Sequence, residues 1–103
     1  MTEILVRIKR AILLGNFRFS RKAWDEMKID HITELDVLES ISNAVAIYKR
    51  IRSTSVFKKS IKEYLYIIQS PNMHGLPIYT KGKLVKEQGQ DVFYFIISSK
   101  KSS

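Results

Sequence analysis

A chain of 103 residues and 12.0 kDa lies in the single-domain range, and 45% apolar beside 27% charged residues suffices for one core across 1–103, excluding a disordered composition. Eighteen Lys and Arg against ten Asp and Glu give a net charge of +8, which favours a polyanionic partner through phosphate contacts and counterion release. The absence of cysteine excludes disulfides and thiolate metal sites and is compatible with the cytoplasm, and no stretch reaches the roughly 18 apolar residues of a membrane span.

Residues 3–14 place Leu5, Ile8 and Ile12 at three- and four-residue steps, with Arg7, Lys9 and Arg10 mainly on the other side. That spacing predicts an amphipathic helix ended by Gly15. A membrane-surface helix shares the pattern, but the expectation is a helix packed on a core. The run carries no signal-peptide cleavage pattern. Residues 16–19 read as a link or edge strand. Ser20 can cap a second helix over RKAWDEMK, whose Ala23, Trp24 and Met27 share a face, so Trp24 is expected in the core. Thr33 opens a third helix through a Thr-x-x-Asp capping box with Asp36, with Leu35, Leu38 and Ile41 or Val45 facing inward.

After Ala46 the pattern turns to period two, and 47–54, 63–69, 77–85 and 91–99 read as strands. Residues 71–75 and 87–91 carry the turn signals. Helices first and strands afterwards indicate an α+β fold, N-terminal helices packed on an antiparallel sheet. Residues 101–103 read as a loose tail.

Alternation sorts Ile47, Lys49 and Ile51 to one face of the first long strand and Tyr48, Arg50 and Arg52 to the other. A lysine between two isoleucines snorkels to an edge, pairs with an anion or lines a cleft. The next strand sets Leu65, Ile67 and Gln69 against Tyr64, Tyr66 and Ile68, so an amide ends an apolar face. Gln69 can reach a phosphate oxygen or a base edge, or satisfy backbone groups before Pro71. Tyr79, Lys81 and Lys83 share a face, which suits phosphate contact with base stacking and equally describes a solvated basic surface. In the last strand Val92, Tyr94, Ile96 and Ser98 lead in phase to Lys100, with Phe93, Phe95 and Ile97 opposite. Apolar residues on both faces indicate a central strand.

Cutting RNA without a metal requires removal of the 2′-hydroxyl proton, stabilisation of charge on phosphorus and protonation of the departing 5′-oxygen. Lysine supplies charge stabilisation, and lysine or tyrosine can move protons where neighbouring cations or burial lower the pKa. His31 and His74, the conventional acid and base, fall in expected loops. There is no Gly-rich phosphate loop, zinc helix or nucleophile elbow, and the ten carboxylates are spread through the helices. No metal or cofactor is expected.

The segments IYKR with Lys49, YIIQS with Gln69, GLPIYTKGKL with Tyr79 and FIISSKK with Lys100 follow the order of the motility quorum-sensing regulator (MqsR) family of bacterial toxins, which the chain resembles along nearly its whole length. FSRKAWDEM followed by ITELDVLESI is similar to a related bacterial domain of unknown function. The resemblance implies a RelE-like fold and a type II toxin: a ribosome-independent, metal-independent endonuclease of single-stranded messenger RNA, neutralised by a cognate antitoxin. It implies active-site roles for Lys49, Gln69, Tyr79 and Lys100, with Arg50, Arg52, Lys81 and Lys83 guiding the RNA backbone. Two departures stand out: residues 53–62 lengthen the connection before the Gln strand, and Lys22 stands where the related domain often has histidine. From composition alone, the alternatives are a nonenzymatic nucleic-acid-binding module and an interaction protein whose basic face meets an acidic partner.

Overall fold

Local sequence signals set the boundaries of three helices and five strands in a computed structural model that describes residues 2–52 and 63–102. α1 (Thr2–Leu13) stops just before Gly15, and β1 (Phe17–Phe19) follows. Ser20 caps α2 (Arg21–Asp30), its hydroxyl accepting the Ala23 N–H, and His31 closes that helix in the left-handed region. At the start of α3 (Glu34–Asn43), Asp36 N–H donates to Thr33 Oγ1 at 3.1 Å and Thr33 N–H donates to Asp36 Oδ2 at 2.8 Å, completing the expected capping box. β2 (Lys49–Arg52), β3 (Tyr64–Pro71), β4 (Pro77–Glu87) and β5 (Gln90–Lys101) come next. Gln88 and Gly89 both take positive φ, 51° and 77°, as a two-residue hairpin between β4 and β5 requires.

The strands form one sheet in the order β1-β5-β4-β3-β2. β2, β3, β4 and β5 pair antiparallel, but β1 runs parallel to β5, with Phe17 opposite Tyr94. The sheet is therefore mixed, which corrects the antiparallel expectation. A three-residue strand between two helices carries no directional signal of its own. Residues 53–54 of the expected first long strand, and the long connection at 53–62, lie outside the described residues.

All three helices bury their apolar stripes against one face of the sheet: Leu5, Ile8 and Ile12 from α1, Ala23 and Met27 from α2, Val37 and Ile41 from α3, meeting Tyr66, Ile68, Ile78, Tyr94 and Ile96. Trp24 is 44% exposed rather than core. It lies beside the buried pair Ala23 and Met27, and its ring covers Phe19 at 4.6 Å. On α3 the inward set is Val37, Ser40 and Ile41, while Leu35 and Val45 are exposed. A buried serine, its hydroxyl donating to the Ser70 carbonyl at 2.8 Å, disguised that stripe. The supposed tail is also structured: Lys101 belongs to β5, and the Ser102 N–H donates to the Pro77 carbonyl at 3.0 Å. Among the described residues no helix is long and apolar enough to cross a membrane.

Two residues are inserted into β5 relative to β4. Lys81 faces Ser98 and Gly82 faces Ile96, so Ile97 is extra; Val85 faces Phe93 and Lys86 faces Asp91, so Val92 is extra. Each bulge turns the chain beyond it to the other face. The one at Val92 brings Asp91 to the helix side, where Arg7 of α1 grips it through Nε and Nη2, both at 2.7 Å. Between the bulges Tyr94 is fully buried, its ring lying over Gly82.

A Cβ at position 82 would stand 2.6 Å from Tyr94 Cζ and 2.7 Å from the Phe95 carbonyl oxygen, and the latter cannot move without shifting the strand. Gly82→Ala should therefore cost about 1–3 kcal/mol in urea unfolding; an unchanged midpoint would contradict the seating of Tyr94. Asp91 is held below its ordinary 3.8 by the hydrogen bonds from Arg7, and Asp36 below the same value by the Thr33 backbone N–H. Depressed carboxyls contribute stability above the ordinary value and lose it as the pH falls through their folded-state values. The Asp36→Asn, Asp91→Asn double variant should consequently show a flatter stability profile than wild type below about pH 4.

Candidate active site

Alternation along the strands leaves Lys49, Ile67, Gln69, Tyr79, Lys81, Lys83, Phe93 and Phe95 on the face that carries no described helix. Ile67 is buried there, and the others are half-buried or exposed. Phase alone would put Lys100 with Tyr94 and Ile96 on the helix side. The extra residue at Ile97 corrects this: Lys100 lies directly opposite Tyr79, and Tyr79 directly opposite Gln69. Three of the four expected catalytic residues thus form a row across three adjacent strands.

The row borders an open depression of about 320 Å³ lined by Gln69, Tyr79, Lys100, Lys101 and Ser102. The Lys100 ammonium stands 5.3 Å from the centre of the Tyr79 ring, a cation–π distance. Ser102 Oγ donates to Gln69 Oε1 at 2.9 Å, which orients the amide and leaves its NH₂ as the group presented outward.

β1 flanks only the first part of β5, and α2 takes over beside the rest. Glu26 Oε1 accepts the Ser98 hydroxyl at 2.7 Å and the Ser99 N–H at 3.2 Å, and Asp30 Oδ2 accepts the Lys101 N–H at 2.8 Å. Two carboxylates four residues apart on one helix thereby satisfy backbone donors of the strand edge. Burial raises the Tyr79 pKa above the usual phenol value, and the Glu26 charge raises it further. The shift runs opposite to the lowering expected from neighbouring lysines, because the phenol loses water and feels a carboxylate. Tyr79 is a protonated donor.

Lys49 does not join the row. It faces Ile67, which faces Lys81, one row along the sheet, and ordinary strand spacing puts it roughly 12 Å from Tyr79. Lys81 shares the open face, and Lys83 does too but is paired with Glu63 at 2.9 Å. Arg50 and Arg52 point to the helix side, where the Arg50 guanidinium covers the Tyr64 ring at 4.4 Å. The expected backbone guides are therefore divided between two faces. His31 closes α2, and the His74 N–H donates to Asn72 Oδ1 in the β3–β4 turn; neither belongs to the row. Glu26 and Ser102 were not foreseen, since their partners are far away in sequence and neither lies in a recognisable motif. Among the described residues no group of three or more His, Asp or Glu is arranged to hold a metal ion. No protein-family model, curated protein or solved structure matches the chain.

Because burial dominates the Tyr79 shift and Glu26 adds to it, Glu26→Gln should lower the Tyr79 titration midpoint without bringing it down to that of a free phenol. Ultraviolet difference titration against Tyr79→Phe isolates this phenol. No movement in Glu26→Gln would show that the carboxylate does not act on it.

Proposed function

We propose that the chain cleaves single-stranded messenger RNA without a metal, as a type II toxin of RelE-like kind whose antitoxin would act by covering the open face. The observation that carries this reading is the alignment of Gln69, Tyr79 and Lys100 across three strands at an open depression on a basic face. In that arrangement the Lys100 ammonium binds the scissile phosphate and stabilises the charge gained as the 2′-oxygen attacks phosphorus. Tyr79, kept protonated by its surroundings, donates its proton to the departing 5′-oxygen. The Gln69 NH₂ donates to a non-bridging phosphate oxygen or a base edge. Glu26 Oε2, without a hydrogen-bond partner among the described residues, takes the 2′-hydroxyl proton. The products are a 2′,3′-cyclic phosphate and a free 5′-hydroxyl. Lys49 and Lys81, one row away, hold the neighbouring backbone phosphate rather than the scissile one.

A nonenzymatic RNA-binding module is favoured by a different observation: Lys49 stands apart from the row, and a basic face bearing aromatics suffices for binding. Incubation of purified protein with a defined RNA in EDTA separates the two. The enzyme reading expects cyclic-phosphate ends, a loss of at least ~100-fold in rate for Tyr79→Phe and for Lys100→Ala, and a smaller loss for Lys49→Ala, all with unchanged melting temperature. Full activity in both Tyr79→Phe and Lys100→Ala would overturn the site, and a salt-sensitive gel shift with intact RNA would establish the binder.

A further inference from the structure

Phe93 and Phe95 are half-buried on the same open face as the row, at the opposite end of β5, on the side away from the hydrophobic core. Their rings meet edge to face at 6.4 Å and 85°. Arg18 of β1 lies opposite Phe95 and sets its guanidinium 4.6 Å from the centre of the Phe93 ring. Two phenylalanines on a sheet face are ordinarily covered by a helix; among the described residues no helix lies over these, and the groups beside them are the exposed Arg18 and the Lys83–Glu63 pair. Arg18, Lys81 and Lys100 lie along this face, none of them in a salt bridge with a described residue. Lys83 is neutralised by Glu63.

We infer that Arg18, Phe93 and Phe95 form a stacking platform for unpaired RNA bases, continuing the track that begins at Tyr79 and Lys100; this rests on the RNA reading of that row. Bases stack on phenylalanine rings and on guanidinium planes whatever their identity, whereas the bases of a duplex present only their edges. From Tyr79 to Val85, the residue opposite Phe93, the strand rises roughly 20 Å. A track of that length takes about four nucleotides, the lower end of compact single-strand sites. Lys81, between the two ends, meets the intervening phosphates. The occupant is thus a short unpaired stretch of RNA lying along β4 and β5, with its scissile phosphate at Lys100 and its distal bases on Phe93 and Phe95. The charge pattern excludes a cationic partner, and the rings offer an acidic peptide nothing that its carboxylates would use.

The test is fluorescence anisotropy with a short fluorescein-labelled 2′-O-methyl oligonucleotide, which cannot be cut, as a single strand and as a duplex. Wild type should bind the single strand more tightly. The Phe93→Leu, Phe95→Leu double variant should lose about tenfold or more in single-strand affinity, with its melting temperature checked alongside. Arg18→Gln, at an exposed position where folding is not at issue, should weaken single-strand binding and reduce the salt slope by about one ion. Equal affinity for duplex and single strand, or wild-type affinity in both variants, would overturn the platform. Binding of the 2′-O-methyl strand without cutting of its ribose counterpart would overturn the nuclease reading and leave the platform standing.

Discussion

Against an antiparallel partner a strand offers alternate residues to alternate faces, and an inserted residue reverses everything beyond it. β5 is built on that constraint, with its insertions at Val92 and Ile97 dividing it into three segments, each reversed in phase from the one before. The first segment turns Asp91 to Arg7 and ties the hairpin to α1. The middle one sends Tyr94 and Ile96 into the core, over the space left by Gly82. The last returns Lys100 to the open face beside Tyr79. If β5 ran past Ile97 in unbroken alternation, Lys100 would lie opposite Ile78, on the helix side and away from Tyr79.

The second half of β5 poses a separate problem, because β1 ends at Phe19 and leaves strand donors without a ladder partner. α2 answers it with Glu26 and Asp30, whose spacing places both carboxylates on the same side of the helix. The Glu26 carboxylate that protects the edge also adds its charge to the burial that raises the Tyr79 pKa. Edge protection and part of the electrostatic surroundings of Tyr79 thus share a side chain, so the two cannot be altered independently at that position.

Features governed by neighbours in sequence were legible. Ser20, Thr33 with Asp36 and the period-two strands all act over a few residues, and each does what its chemistry predicts. Helix facing was less legible: Ala23, Met27, Leu38 and Ile41 face inward as foreseen, but Trp24 and Leu35 stay exposed, the first leaning on Phe19 and the second giving way to Val37 and the buried Ser40. Lys100 was assigned to the site although its phase, read as unbroken alternation, pointed to the wrong face; a bulge leaves no mark in a run of apolar residues. Lys49 does break the pattern of its own strand, but which row it enters depends on the pairing of β2 with β3, a property of two segments at once. Glu26 was beyond reach for the same reason, its partner Ser98 lying 72 residues further on.

The last strand is also an inner one, and that has a consequence for synthesis. Ser20 is joined to Ile97 across 77 residues, and β1 has no ladder until β5 arrives beside β4. A ribosome therefore releases three helices whose apolar stripes lack a finished sheet, and the non-local pairing that completes it is the slow kind. Lys100 and the Ser102 hydroxyl that orients Gln69 emerge after the three helices and the other four strands. A nascent chain has no assembled row until it has emerged as far as Ser102, so whatever the row binds meets only separate side chains before that point.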